Sequence, residues 1–239
     1  MPKRLPADLR KRAEALQGLR ARVVSCRLCP RLVAYRERVA QEKVRRYRDQ
    51  PYWGRPVPSF GDPNAVLLIV GLAPAAHGGN RTGRIFTGDR SGDFLFEALF
   101  RAGFSNQPFS RHKDDGLQLT NCYITAVLHC APPANRPERG EIVTCRRYLL
   151  EEIELLARVR VVLALGRIAF ESFLQAWGQA GRATALSSPQ FGHGSESRLP
   201  GDIHLLASYH PSQQNTQTGR LTAAMFADVL LRARELVSN

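Results

Sequence analysis

The sequence predicts an α/β fold: a three-layer α/β/α sandwich around a central four-stranded, mainly parallel sheet. Short, continuously apolar runs alternate with helical segments, which is typical of parallel strands covered on both faces. A glycine-rich or polar loop follows each apolar run. The 239 residues suffice for one well-buried domain but not for two catalytic domains. We therefore expect a single domain over 1–239, with an N-terminal helical segment at 1–60 and an α/β core at 61–239.

The part of the chain before the core is predicted to contain two helices and a loop. Apolar residues recur every three or four positions between Leu9 and Leu19, which predicts an amphipathic helix over 7–24. Residues 31–48 form a second helical stretch that is rich in arginine. Four prolines and two glycines in 50–63 interrupt any regular element, so this segment is predicted to be a loop.

From residue 65 onward, strands and helices alternate along the chain. This order implies parallel pairing through right-handed crossovers, with helices on both faces of the sheet. In such sheets ligands bind at the carboxyl ends of the strands, so the four loops that follow the strands converge on one edge, here called the rim. The predicted strands are 65–71, 121–128, 160–166 and 203–209, the predicted helices are 93–102, 137–157, 168–177 and 221–236, and 178–202 is expected to be a loop or hairpin.

The charge balance favours a polyanionic partner. The chain carries 34 basic and 21 acidic residues, a net charge of +13. Basic side chains that neutralise phosphates release condensed counterions, so nucleic acid is the first partner to consider. The alternative is that arginines are spread over the surface without a specific role.

The sequence shows no sign of membrane insertion or secretion. No apolar run approaches the roughly 18 residues that span a bilayer, and the charged N-terminus lacks the apolar region of a secretory signal. We expect a cytoplasmic protein that has no membrane partner and keeps its thiols reduced.

Four of the five cysteines have a spacing that suggests a metal site. Cys26 and Cys29 form a CxxC pair, and fourteen residues separate Cys130 from Cys145. Soft thiolate ligands select zinc or an iron–sulfur cluster, and the lack of a second CxxC favours iron–sulfur over zinc. Scattered buried cysteines are the remaining alternative, and Cys122, inside a predicted strand, is expected to be a core residue. A closed four-cysteine site leaves no open position for chemistry, so its role would be structural: it would tie segment 1–60 to the core.

The loop after the first strand, 71–89, matches neither the dinucleotide nor the P-loop fingerprint. Its small residues leave backbone N–H groups exposed to a flat ligand or a developing anion. Phe86 offers a stacking face or, equally, a core aromatic ring. Asp89 is a polar rim residue or a helix cap, and His210 follows the last strand on the same rim.

Taken together, these motifs resemble the uracil-DNA glycosylase superfamily, and most closely its family 5, the type-B enzymes. The resemblance rests on residues 71–89, 123–137 and 208–220 and on the four cysteines, and it runs from about Cys26 to the last helix. It implies a structural [4Fe-4S] cluster on those cysteines. It also implies a monomeric DNA repair enzyme that flips uracil, and other deaminated bases such as hypoxanthine, out of double- or single-stranded DNA and hydrolyses the N-glycosidic bond, leaving an abasic site.

The resemblance assigns roles to individual residues. Asp89 and Asn135 would position or activate the water, and His210 would stabilise the departing uracil anion. No lysine lies in the rim motifs to form a Schiff base, so a monofunctional glycosylase without strand-nicking activity is expected. The base-binding residues would be Gly71, Leu72, Ala73, Ala75, His77, Asn80 and Phe86, and the DNA-binding residues Ser212, Gln213, Gln214 and Asn215.

Two other functions fit part of the sequence. A non-catalytic, metal-containing nucleic-acid-binding protein would explain the charge and the cysteines but not the rim loops. An iron–sulfur redox protein with a bound nucleotide is disfavoured by the missing nucleotide fingerprints.

Overall fold

The computed structural model describes residues 7–182 and 189–238, so part of the predicted loop or hairpin at 178–202, residues 183–188, lies outside the described residues. The second helix is shorter than predicted and ends at Glu42, because Lys43 takes a left-handed conformation with φ of +51°. The helices are α1 (Ala7–Ser25), α2 (Pro30–Glu42), α3 (Gly79–Thr82), α4 (Arg90–Arg101), α5 (Arg139–Leu155), α6 (Arg167–Gln179), α7 (Gln213–Gln217) and α8 (Ala223–Ser238), with 3-10 turns at Arg45–Tyr47 and Pro133–Asn135.

The sheet has six strands in the described residues, and the prediction of four is wrong. The four predicted strands form its parallel centre, and a short antiparallel strand is added at each edge. No separate strand was predicted at either edge, because one edge strand has only two residues and the other is largely accessible, so neither carries an apolar run. The strands are β1 (Phe60–Gly61), β2 (Leu67–Gly71), β3 (Cys122–Ala126), β4 (Val161–Leu165), β5 (Glu196–Leu199) and β6 (Ile203–Ser208), in the order β1-β3-β2-β4-β6-β5.

Two hydrophobic cores lie on opposite faces of this sheet, which makes the fold the three-layer sandwich expected. Along β2, Leu68 and Val70 point to one face and Leu67 and Ile69 to the other, as the two-residue period of a strand requires. The first face is covered by α1, α2, α5 and α6, and the second by α4 and α8. All five β2 residues are buried, so the strand is fixed between the layers.

A buried polar network joins the N-terminal loop to the first face. Thr125 Oγ1 in β3 donates to Glu152 Oε2 in α5 at 2.5 Å, and Ser59 donates to Thr125 at 2.8 Å. The Arg20 side chain in α1 donates to the Ser59 carbonyl at 2.7 Å. Burial raises the pKa of Glu152 to about 7, although the hydrogen bonds from Ser59 and Thr125 and the charge of Arg20 oppose the rise.

None of the helices in the described ranges is both long enough and apolar enough to cross a membrane.

Candidate active site

The loop after β2 presents backbone donors at the rim. Gly71 and Leu72 use their carbonyl oxygens to accept from Val127 and Leu128, which follow β3, and this fixes the start of the loop. Beyond that point, in the described part of the chain, the amides of Ala73, Ala75, Ala76 and His77 donate no hydrogen bond to the protein. These N–H groups remain available to a ligand, as the sequence predicted.

Phe86 and His210 face each other across the rim. Their ring centroids are 5.7 Å apart and the ring planes are tilted by 30°. Phe86 adopts a φ of +53°, a conformation that is strained for a bulky residue and persists only where the surroundings enforce it. Gly71 allows the Phe86 ring to pack against the end of β2, because a Cβ at position 71 would lie 2.8 Å from that ring. The loops after β2 and β6 therefore meet through these two rings.

Asp89 both caps α4 and faces the first loop. Its Oδ1 accepts from the Gly92 amide at 2.9 Å, the N-cap contact that sequence reasoning treated as the alternative to catalysis. Its Oδ2 lies directly over Gly78, where a Cβ would come within 1.9 Å. Burial raises the pKa of Asp89, and the nearby Asp93 adds to the rise, while amide hydrogen bonds and Arg81 oppose it. One oxygen is thus used for folding and the other is directed at the loop.

His210 is held at the end of β6 by its own loop. Asn215 Nδ2 donates to the His210 carbonyl at 2.9 Å, and Ser212 caps α7 by accepting from the Asn215 amide. The residue keeps some accessible surface, yet its imidazole is deep enough in the protein that desolvation lowers its pKa to about 4. The ring is therefore neutral at pH 7. Gln213 and Gln214 are exposed beside it.

Two of the predicted base-binding residues have protein partners that sequence reasoning missed. Asn80 is fully buried and donates to the Arg36 carbonyl in α2 at 3.2 Å. His77 Nδ1 lies 3.0 Å from the Tyr52 hydroxyl, in the proline-rich loop. Desolvation, followed by the charge of Arg81, lowers the pKa of His77. The proline-rich loop carried no signal for this contact other than the aromatic residues within it.

Asn135 lies on the exposed surface. It ends a 3-10 turn in which Ala134 and Asn135 have φ values of +51° and +55°. Its backbone N–H donates to the Pro132 carbonyl at 3.1 Å. No hydrogen bond joins Asn135 to Asp89 or His210 among the described residues, so its role stays a prediction.

A loop that sequence reasoning did not identify, with basic side chains at its tip, lies next to the rim. The loop, residues 104–119, is anchored by Arg84 Nη2, which donates to both carboxylate oxygens of Asp115 at 2.7 Å in a buried ion pair. Gly88 donates to the Ser110 carbonyl at 3.0 Å, which ties the loop to the segment that carries Asp89. Its tip, 111–113, carries Arg, His and Lys on the surface.

The four predicted metal ligands come from separate elements. Cys26 follows α1, Cys29 precedes α2, Cys130 follows β3, and Cys145 lies in α5. All are free of disulfides. In residues 7–182 and 189–238, no three His, Cys, Asp or Glu side chains stand close enough to hold an ion. The four cysteines therefore provide metal-binding side chains, but they do not form a metal centre among the described residues.

Electrostatic effects nevertheless connect these thiols. Burial raises the pKa of Cys145, a hydrogen bond from the His129 backbone lowers it, and the charges of the other three cysteines raise it. Burial also raises the pKa of Cys130 to about 12, whereas the charge of Arg36 lowers it. Burial, followed by interaction with the Cys26 thiol, raises the pKa of Tyr148. Thiols are the ligands that soft metal centres select, so the four cysteines suit such a centre by their chemistry.

Comparison with known proteins agrees with this geometry. The family model of the uracil DNA glycosylase superfamily matches residues 58–234. The chain is 54% identical to a type-5 uracil-DNA glycosylase of Thermus thermophilus over 90% of this chain and 94% of the relative. It is 51% identical to that of Mycobacterium leprae (94% and 96%) and 50% identical to that of Pyrobaculum aerophilum (89% and 89%). The chain belongs to the uracil DNA glycosylase superfamily.

Proposed function

We propose that this protein is a DNA repair glycosylase that removes uracil from DNA by hydrolysing the N-glycosidic bond. The observation that carries the proposal is the meeting of Phe86 and His210 beside a loop with unused amides, in a chain about half identical to type-5 uracil-DNA glycosylases. A neutral, planar base requires stacking and amide donors rather than a phosphate cradle. The non-catalytic alternative explains neither feature.

Recognition of the base would use the first loop. A base inside a duplex cannot be attacked in place, so the nucleotide must rotate out of the stack. The flipped uracil would stack on Phe86, a contact of about 1–3 kcal/mol for a nucleobase on an aromatic ring. The amides of Ala73, Ala75 and His77 would donate to its carbonyl oxygens. Exposed Gln213 and Gln214 would enter the gap that the base leaves.

His210 would stabilise the leaving group. As the bond from C1′ to N1 lengthens, negative charge develops on uracil, including O2. A neutral imidazole donates a hydrogen bond without transferring its proton, and the low pKa of about 4 keeps His210 in this form at pH 7. Its backbone is fixed by Asn215, so the donor is in place before the charge develops.

Asp89 would orient the attacking water and accept its proton. The Oδ1 atom is occupied by the Gly92 amide, which leaves Oδ2, over Gly78, for the water. The raised pKa makes the carboxylate a stronger base than an exposed aspartate. Asn135 would assist from the neighbouring loop. With no lysine in the rim motifs, the product would be an intact strand with an abasic site.

We further propose that Cys26, Cys29, Cys130 and Cys145 hold a [4Fe-4S] cluster with a structural role. Four free thiols with mutual electrostatic effects support it. The cluster would bind the N-terminal helices to α5 and to the loop after β3, and closed four-sulfur ligation would take no part in hydrolysis. The remaining features of the proposal are a monomer in the cytoplasm, action on double- and single-stranded DNA, and acceptance of hypoxanthine.

The activity test uses oligonucleotides that contain one uracil, one hypoxanthine or only normal bases, each single-stranded and in duplex. After incubation, alkali cleaves any abasic site. Cleavage at uracil only after alkali supports a monofunctional glycosylase. An intact uracil strand after prolonged incubation would leave DNA binding alone, and cleavage before alkali would contradict the absence of lyase activity. Iron and sulfide analysis of anaerobically purified protein tests the cluster, because zinc or no metal would refute it.

A further inference from the structure

Arg36 in α2 is a buried cation without a matching counter-charge. Its side chain is 2% exposed. Within the described residues, Nη2 donates to the Cys26 carbonyl at a long 3.4 Å, while Nε and Nη1 are buried and have no hydrogen-bond partner. A guanidinium remains charged at any accessible pH, so it cannot escape this environment by losing a proton.

The nearest carboxylate does not neutralise Arg36. Glu37 Oε1 lies 3.6 Å from Arg36 Nη2, a loose contact. Both oxygens of Glu37 already accept from Arg27, at 2.5 and 3.1 Å, on the exposed side of the helix. Buried charges in folded proteins are paired or directed at a bound group, and buried donors are hydrogen-bonded. The N–H groups on Nε and Nη1 therefore require a hydrogen-bond acceptor, which the side chains around them do not supply.

The cysteine site is the group that Arg36 approaches. Arg36 hydrogen-bonds the backbone of Cys26, and its positive charge acts on the Cys130 thiol. Two neighbouring groups interact with other thiols of the set: the Tyr148 side chain with Cys26 and the His129 backbone with Cys145. Positive charge and hydrogen-bond donors around sulfur are typical of an anionic thiolate centre.

We propose that Arg36 is a positioning residue for the four-cysteine centre, whose Nε–H and Nη1–H donate to the cluster sulfurs and whose charge balances the negative charge of the cluster. This inference rests on the proposed [4Fe-4S] cluster. Hydrogen bonds to sulfur and local charge set the reduction potential of such centres. A one-electron oxidant such as ferricyanide takes an electron from the cluster and leaves it less negative. The Arg36 charge favours the more negative, reduced form, so it raises the potential and slows oxidative loss.

The test compares Arg36→Gln, which removes the charge, with Arg36→Lys, which keeps the charge but not the planar fork. Arg38→Gln is the matched control, because Arg38 lies on the same helix but is exposed. Holoprotein is purified anaerobically, and its iron and sulfide contents are measured. The midpoint potential is then determined by voltammetry, and loss of the cluster absorbance at about 400 nm is followed after ferricyanide is added.

We expect Arg36→Gln to contain iron and sulfide, to have a more negative potential, and to lose its absorbance several-fold faster than the wild type. Arg36→Lys should fall between the two, and Arg38→Gln should match the wild type. An Arg36→Gln protein with wild-type potential and absorbance loss would overturn the proposal, as would an equal shift in Arg38→Gln. If Arg36→Gln does not fold, Arg36→Lys decides: a shifted potential supports the proposal and an unchanged one overturns it. Wild-type protein without iron and sulfide would instead refute the cluster itself.

Discussion

The rim and the cysteine site differ in how their charged or titratable residues are held. At the rim, the Asp89 carboxylate accepts from the Gly92 amide and Asn215 donates to the His210 carbonyl, so both residues are held in place by the protein itself. At the cysteine site, Arg36 Nε and Nη1 and His129 Nε2 are buried and have no hydrogen-bond partner among the described residues. A site that meets its ligand only briefly must be stable without it, whereas one that holds a resident group completes its bonding through that group.

The first prediction tests the rim by removing the Asp89 carboxylate while its helix cap is kept. Asparagine caps a helix as well as aspartate does, so Asp89→Asn should leave the unfolding free energy within about 1 kcal/mol of the wild type. Loss of the carboxylate should lower kcat on uracil-containing duplex by about 10²–10⁴-fold, the usual contribution of a general base. Single-turnover kinetics and denaturant unfolding measure the two effects. Asp93→Asn, in the same first helical turn, is the control. A wild-type rate in Asp89→Asn would show that the carboxylate serves only as a cap.

The second prediction concerns a buried acidic residue on the first face of the sheet, the face that carries the cysteine site. It tests how such a residue behaves when the protein supplies its hydrogen bonds. Glu152 is buried on that face but is hydrogen-bonded by Thr125. Its pKa is raised to about 7 in the folded protein from an ordinary 4.5, so between these pH values the folded state binds more protons than the unfolded state. Stability should therefore fall as pH rises from 4.5 to 7, by about 3 kcal/mol for this group.

Glu152→Gln should remove that pH dependence, whereas Glu154→Gln, an exposed change on the same helix, should keep it. Denaturant unfolding at pH 5 and at pH 8 gives the measurement. If both variants retain the wild-type slope, Glu152 does not titrate in this range.

A third prediction tests whether the rim depends on close packing between Gly71 and Phe86. The Cβ of Gly71→Ala would lie 2.8 Å from the aromatic ring, so the ring that contacts His210 must shift. Overpacking of this kind costs about 1–3 kcal/mol of stability. We also expect a raised KM, because the stacking face is displaced. Gly140→Ala, where an added Cβ meets nothing within 4 Å, is the control. Unchanged KM in Gly71→Ala would exclude Phe86 as a stacking surface.

The smallest expected effect concerns the tip of the loop at residues 104–119. Arg111→Gln removes one surface charge at the tip that the Arg84–Asp115 pair supports. If this arginine contacts a phosphate, DNA affinity should fall by a few-fold, and the slope of log affinity against log salt should decrease by about 1. Fluorescence anisotropy at several salt concentrations provides the measurement. Arg101→Gln, another exposed arginine, should leave the slope unchanged if binding is confined to the rim.

The sequence predicted the parallel centre of the sheet and both helical layers because each depends on local apolar patterns. Strand β5 was predicted only as part of a loop or hairpin at 178–202, because only Leu199 among its four residues is buried. The conformations of the loops could not be predicted, for a different reason. Nothing in the local sequence indicates that Phe86 has a positive φ or that Asn80 turns inward to the Arg36 carbonyl, because tertiary contacts determine both. The same holds for the contact between Tyr52 and His77.

The charged edge strand β5 has a consequence for the protein in a crowded cell. Outer strands offer unpaired backbone groups to other chains and so promote aggregation. Here the exposed Glu196 and Arg198 are bound by Arg232 and Asp202, which keeps charge along this border. A foreign strand would have to displace these ion pairs before it could pair. This edge of the sheet is thereby protected against pairing with other chains, which lowers the tendency of the protein to aggregate.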